Sequence, residues 1–458
     1  MTEREAPSTE SLSRALQGFW DVSAAKIRAL ESAWDPSRGS PVFTAAGRWT
    51  SRGWTEWTQG FQYGSALIQF DATDEGEFLE IGRRGTREYM GAHLSAMGVH
   101  DHGFNNVSTY GALLRLMNEG RIPDAERDLC ETALKVSGAV QARRWTRTTD
   151  GGGFIYSFNG PHSLFVDTIR SLRSLALAHE LGHVLMEEND RRVSLLGRLI
   201  AHARSTARWS VYYGEGRDAY DVPGRVAHES IFDINDGAYR CPSTQQGYSP
   251  FSTWTRGLAW AILGFAELLE YFDGLDPSAI AAVSGAADVI DFVRRALDVT
   301  CAFYVANTPS DGIPYWDTGA PGLAAIGAWR ESPADPFNAH EPVDSSAAAI
   351  ACQGFLRFGA RLAAVGDARG KRWRDVGISL LSTLLSEPYL NGRGDHHGLL
   401  LHSVYHRPNG WDYVPPGRSV PCGESSMWGD YHLREAALYA QRMIDGAPPP
   451  VFFQRRSA

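Results

Sequence analysis

Long apolar runs are missing from this 458-residue chain. No stretch of about 18 uncharged apolar residues occurs, so no segment reads as a transmembrane helix. Paired cysteines are missing too. Cys130, Cys241, Cys301, Cys352 and Cys422 are odd in number, widely spaced and form no CxxC, which excludes a disulfide scaffold or zinc cage of the usual spacing. An excess of basic charge is also lacking. The 44 Lys+Arg face 53 Asp+Glu for a net −9, so there is no overall field for nucleic acid. The start, MTEREAPSTES, has no apolar core and is not a secretory signal. With reduced thiols, this predicts a cytoplasmic protein. No Gly-rich phosphate loop, Walker motif, GxSxG elbow or dinucleotide fingerprint appears. No Pro/Ser-rich linker divides the chain, so one domain is expected over 1–458, with flexible ends at about 1–10 and 446–458.

What the chain does have is helical periodicity. Leu258, Ile262, Phe265, Leu269 and Phe272 recur at three- and four-residue steps, with Glu267 and Glu270 on another face. Similar patterns over 10–34, 57–71, 76–97, 105–119, 124–143, 163–186, 190–208, 278–305, 343–365, 368–385 and 425–445 bring the total to about twelve helical segments. Strand-like alternation is confined to 153–158 and 209–213. Long Gly/Pro/aromatic-rich connections at 143–162, 209–251, 307–342 and 386–424 suggest a site built on one rim of a rigid scaffold. WTQG at 57–60 is echoed by WTRG at 254–257. Six helical hairpins closed into a double ring fit this pattern, and an open helical solenoid fits nearly as well.

Several clusters carry chemistry. Trp54–Gly60 and Phe61 precede His100-Asp101-His102-Gly103-Phe104-Asn105. Asp101 is a candidate acid or base, with helix capping by Asp101, Asn105 or Asn106 as the plain structural alternative. Asp167 sits among Leu164, Phe165, Val166 and Ile169, where a carboxylate is either a helix-start partner or buried for a reason. Facing another aspartate, it would be pushed toward its protonated form. Gln245-Gln246-Gly247-Tyr248-Ser249 precedes Trp254-Thr255-Arg256-Gly257 and Trp260, and Arg256 could grip a sugar carboxylate with a bidentate fork, with core aromatics beside a surface Arg as the plain structural alternative. His179-Glu180-Leu181-Gly182-His183 is a literal HExxH, which on a helix would present two imidazoles to zinc. It lacks a third histidine downstream, so solvent-side helix histidines are the favoured reading. Asp344 before Ser345-Ser346, and Trp428-Gly429-Asp430-Tyr431, read as helix-start structure.

Taken in order, these clusters resemble the unsaturated glucuronyl hydrolases, glycoside hydrolase family 88, and more distantly the unsaturated rhamnogalacturonyl hydrolases of family 105. The resemblance rests on Trp57-Thr58-Gln59-Gly60-Phe61, His100-Asp101-His102-Gly103-Phe104, Phe165-Val166-Asp167, Gln246-Gly247-Tyr248-Ser249, Trp254 to Trp260, Ile313-Pro314-Tyr315-Trp316-Asp317, Asp344 to Ile350 and Trp428 to Tyr431. It spans roughly residues 50 to 445. It implies an all-α (α/α)6 barrel and a hydrolase that removes a 4,5-unsaturated uronic acid from the non-reducing end of lyase-generated oligosaccharides. The C4=C5 vinyl ether is hydrated, without metal or cofactor. The resemblance further implies Asp167 as general acid/base and Asp101 as the carboxylate that helps keep it protonated. Trp57, Phe61, Trp254 and Trp260 would be sugar-stacking walls, Gln246 a positioning residue and Arg256 an acid-group contact, with His100, His228 and Ser403 also binding substrate. The sequence departs from the family at His102, where a hydrophobic residue is common, and in Ser403-Val404-Tyr405-His406-Arg407-Pro408, which keeps one serine of a sulfate-binding set. Competing expectations are a hydrolase of saturated uronides on the same barrel, a zinc peptidase built on His179 and His183, and a non-catalytic sugar-binding toroid. The oligomeric state, monomer or dimer, is not legible.

Overall fold

The structure, a computed structural model, describes residues 7–53, 56–283 and 288–453. Trp54, part of the first aromatic cluster, lies outside them. Twelve long helices dominate the described residues: α1 (Thr9–Ala33), α2 (Gln59–Thr73), α3 (Gly76–Tyr89), α4, α5 (Arg127–Arg143), α6, α7 (Leu195–Trp209), α8 (Thr255–Gly274), α9 (Val289–Ala306), α10 (Ser345–Ala364), α11 (Arg369–Leu384) and α12 (Met427–Ile444). Helix α4 runs through His102–Asn106, a wide π-type turn Val107–Gly111 and Ala112–Asn118. Helix α6 comprises Thr168–Ser171 and Arg173–Glu180.

The even-numbered helices close a ring, each packing on the next, with α12 returning to α2. The odd-numbered helices form the outer layer, and the apolar core fills the space between the layers. This is an (α/α)6 barrel. Amphipathicity explains the division. Outer helix α3 buries only a stripe around Phe78, Gly82 and Thr86, whereas inner helix α8 is buried almost all round. Accordingly Glu267 and Glu270, expected on a face away from the apolar stripe, point into the ring and pair with arginines. The C-terminal stretch bears Phe453, whose ring packs at a tilt against Tyr271, and Phe452, which lies under the Arg173 guanidinium.

The expected strands are only partly found. Gly153–Ile155 pairs with Trp145–Arg147, but 209–213 holds only the Val211–Val226 bridge. A three-stranded antiparallel sheet, Ser163–Phe165, Glu229–Phe232 and Tyr239–Ser243, occupies residues partly expected to be helical. Its first strand ends just before Asp167, which thereby becomes the residue at the mouth of α6.

The HExxH segment is also resolved. Helix α6 stops at Glu180, and Gly182 takes φ +72°. His183 N–H donates to Ala178 O at 2.9 Å and Gly182 N–H to His179 O at 2.8 Å. That pair of bonds is a Schellman cap. His183 therefore lies beyond the helix, and the i, i+4 face that zinc would need does not exist. Among the described residues no group of three or more His, Cys, Asp and Glu side chains is arranged to hold a metal, and no helix is long and apolar enough to cross a membrane.

Close approach of inner helices depends on missing side chains. A Cβ on Gly103 would sit 2.3 Å from Ser171 O, so α4 touches α6 backbone to backbone. Ser171 Oγ accepts from Gly103 N–H at 2.8 Å and donates to His100 O at 2.7 Å, and Gln141 Nε2 donates to the same carbonyl at 2.9 Å. Gly103→Ala should cost about 1–3 kcal/mol, the usual range for overpacking, read as a lower urea midpoint. Unchanged stability would show that the crossing tolerates a methyl group.

Candidate functional site

The ends where α2, α4, α6 and α8 begin meet at one rim. A hollow of about 950 Å³, its open mouth included, lies there. Its walls are Trp57, Phe104, Trp254 and Trp260 with Phe158, Tyr405 and Trp411, and its polar lining is His100, Asp101, Asp167, Gln245, Gln246, Arg256, His406 and Asn409. Volume and lining suit a small ligand with flat apolar faces and a few polar groups. The positive ends of the surrounding helix dipoles favour an anionic ligand.

The two aspartates converge through one histidine. His100 Nε2 lies 3.3 Å from Asp167 Oδ1 and 3.7 Å from Asp101 Oδ1. Asp101 is 8% and Asp167 9% exposed, so each is desolvated yet reaches the hollow. Both stand at helix starts, and neither carboxylate makes a capping bond there. The plain capping alternative for Asp101 is thus set aside, and Asn105 is engaged elsewhere, accepting from Gly60 N–H at 2.8 Å.

Their charges divide differently from the sequence expectation. Burial pushes the Asp101 carboxyl up, opposed by His100 and reinforced by Asp167. Burial also pushes Asp167 up, but the hydrogen bond and charge of His100, aided by His228, outweigh it and hold Asp167 below the usual carboxylate range. Burial lowers His100, yet the two carboxylates raise it above the ordinary imidazole value. His100 as imidazolium and Asp167 as carboxylate therefore favour each other's charged forms. His102 takes no part. Its ring meets Ala96 O and Ser137 Oγ, and burial lowers it to about 4.

Arg256 lines the hollow but has its donors committed. It pairs with Asp344 at 2.9 Å, donates to Tyr405 O at 2.8 Å and to Val404 O, and reaches Gln246 Oε1 at 2.8 Å. A bidentate fork for a sugar carboxylate is not left over. Asp344 meanwhile caps α10 through Ser346 N–H and Ala347 N–H. Because a guanidinium only donates, it fixes the Gln246 amide with its oxygen inward, leaving the NH₂ as the donor for a ligand. Three further expected contacts do not reach the hollow. Phe61 is fully buried behind Trp57, edge-on at 5.8 Å, as a core residue. His228 is packed between Phe165 and Trp254, and its Nδ1 accepts from Gln245 N–H at 3.0 Å and Gln246 N–H at 3.3 Å. Ser403 is buried beside Ser345, with its N–H on Glu424 O. Conversely Phe158, Asn409 and Trp411 line the hollow without having been singled out. The only sequence signal was an aromatic beside an Asn-Gly turn at 409–411.

Comparison with known proteins bears on this geometry. An unsaturated glucuronyl hydrolase from Bacillus sp. (strain GL1) is 25% identical over 402 residues, 86% of this chain and 88% of its own. The crystal structure of the unsaturated glucuronyl hydrolase from Bacillus sp. GL1 superposes with a TM-score of 0.70 at 21% identity, covering 97% of this chain and 99% of that one. The chain is similar to the unsaturated glucuronyl hydrolases over nearly its whole length. An unsaturated chondroitin disaccharide hydrolase from Streptococcus agalactiae serotype III (strain NEM316) is 22% identical over 391 residues, 84% of this chain and 81% of its own. No protein-family model matches the chain. The (α/α)6 architecture is shared with the glucuronyl hydrolase structure, so the fold expected from the resemblance stands.

Proposed function

We propose that this chain is a glycoside hydrolase that removes a 4,5-unsaturated uronic acid from the non-reducing end of lyase-generated oligosaccharides by hydrating its C4=C5 bond. The observation carrying this reading is the convergence of Asp101 and Asp167 on His100 inside a tryptophan-walled hollow. In it Asp167 protonates C4 and then, as carboxylate, takes a proton from the water that attacks C5. Asp101 is the second carboxylate, and its charge opposes ionisation of its neighbour. The hemiketal formed at C5 opens and releases the remaining sugar. Trp57, Trp254 and Trp260 supply flat faces for the ring, and the Gln246 NH₂ is the donor that orients it. Arg256 is a positioning residue, tying Gln246 to the 404–405 backbone. The whole chain serves as one catalytic domain. Its five unpaired thiols, four of them buried, fit a reducing cytoplasmic setting.

A side-by-side assay tests the reading. Unsaturated uronyl disaccharides should lose their conjugated ultraviolet absorbance, matched saturated uronides should stay intact, and a chelator should leave the rate unchanged. Cleavage of the saturated sugar would transfer the chain to direct displacement at the anomeric carbon, and binding without turnover would make it a sugar-binding toroid.

A further inference from the structure

On the functional reading above, Asp167 must present a proton to C4, yet the His100 ring 3.3 Å away holds its carboxyl below the usual carboxylate range. We propose that His100 stores that proton, passing it from Nε2 to Asp167 Oδ1 when an unsaturated uronide enters and recovering it after each turnover. This inference rests on that reading and makes His100 a positioning residue that acts through Asp167.

Geometry carries the argument. One nitrogen faces both carboxylates, at 3.3 and 3.7 Å. Among the described residues, neither ring nitrogen of His100 has a well-aligned hydrogen-bond partner, nor does Asp167 Oδ1. Short but misaligned contacts of this kind are usual in ligand-free catalytic sites and tighten when the ligand arrives. The ring is held between Phe158, nearly parallel at 6.0 Å, and Phe165, edge-on at 5.6 Å, which shut out bulk water. Its backbone is pinned by Ser171 and Gln141.

Among the described residues, the other imidazoles nearby are not equipped for the task. His202 accepts Ile155 N–H on Nδ1 at 2.9 Å, as His228 accepts from Gln245, so each carries its single proton on Nε2 and is neutral. Burial lowers them to about 3 and about 4. Arg144 is the remaining charge facing His100, and it opposes protonation. It is itself occupied by Tyr156 O, Ser157 O and Met97 O.

The transfer is inexpensive because it moves no net charge into the hollow. Imidazolium between two carboxylates has the same total charge as neutral imidazole beside one protonated and one ionised carboxyl. An incoming uronate carboxylate seated nearer Asp167 than His100 raises the proton affinity of Asp167 more than that of the ring, and that difference drives the shift. The proton then leaves Asp167 as the C4–H bond forms, the π pair of C4=C5 supplying its electrons, and positive charge develops across C5 and the ring oxygen. Water bonds to C5, and its proton returns to Asp167 and from there to His100.

Two measurements decide it. Nitrogen NMR of the ligand-free enzyme should show His100 protonated on both ring nitrogens at neutral pH, and Asp167→Asn should shift its titration acidward. In His100→Asn the two carboxylates alone must hold the proton, so the alkaline fall of kcat/KM should begin about one pH unit or more lower, with the acid-side rate less affected. A neutral His100 ring in the wild type, or an unmoved alkaline limb in a turning-over His100→Asn, overturns the proposal. If the wild type leaves every unsaturated uronide untouched, the functional reading has failed, and the NMR alone decides whether His100 holds the proton. Should His100→Asn not fold, the wild-type and Asp167→Asn spectra carry the same decision.

Discussion

Asp167→Asn should lower kcat on unsaturated uronyl disaccharides by about 10³-fold or more while leaving the fold intact. General acid–base catalysis by one positioned group contributes roughly 10²–10⁴-fold. Here one group is asked to act twice, first as acid toward C4 and then as base toward water. An amide performs neither step, and it is close enough in shape to keep the start of α6 where it is. The carboxylate makes no capping bond that the amide would lose. Removing its charge lifts the repulsion on Asp101 but also the attraction to His100 that holds Asp167 below the usual carboxylate range, so stability near neutral pH should fall modestly. The check is the rate of absorbance loss, set beside far-ultraviolet circular dichroism and the unfolding midpoint. Turnover within tenfold of the wild type would take the acid/base role away from this residue. Asp101→Asn gives the internal comparison. It lifts one carboxylate from His100 and should lower the imidazole value, moving the alkaline limb acidward, whereas Asp167→Asn should leave little rate to profile.

Much of this arrangement was legible in the sequence, for physical reasons. A period of 3.6 residues survives in every barrel helix because each must bury a face, and twelve such segments admit few closed solutions. The aspartates stood out because Asp167 interrupts an apolar run and Asp101 sits in a dense polar cluster. What escaped was direction. Phe61 and Trp57 are neighbours on one short segment, yet only Trp57 lines the hollow. Arg256 carries the right chemistry for a carboxylate, but its donors are taken by groups 88, 148 and 149 residues away in sequence. The HExxH spacing was present without its helix, because Gly182 at positive φ ends α6 inside the motif. The sign of the Asp167 shift was missed for a related reason. Two like charges were weighed, and the imidazole between them was not. A buried ring at 3.3 Å outweighs a carboxylate beyond it.

Arg170→Met should destabilise the protein by about 3–5 kcal/mol, the range for stripping one partner from a buried ion network. Beneath the hollow the barrel axis is filled with charge, not hydrocarbon. Fully buried Arg170 donates to Glu267 at 3.1 and 3.2 Å and to Glu435 at 2.7 Å, and Arg173 lies 3.5 Å from Glu267. Tyr431 and Gln353 add hydrogen bonds to Glu435 at 2.9 and 3.2 Å. His432 completes the set as a neutral ring, with Nδ1–H on Trp428 O and Nε2 accepting from Arg170. Two arginines balance two glutamates, and burial penalises both glutamates less than the arginines favour them, so both are held below the usual carboxylate range. Wild-type stability from these groups is therefore present at neutral pH and is lost as the pH falls through their lowered values. In Arg170→Met one glutamate is left uncompensated, and its value in the folded state must rise. The penalty is then greatest at neutral pH and shrinks as acid protonates that glutamate. Urea unfolding of both proteins between neutral and mildly acid pH reads this directly, and a gap that stays constant with pH would mean the loss is one of packing. Adding Glu267→Gln to Arg170→Met should recover part of the deficit, because a neutral pair of similar volume needs no counter-charge.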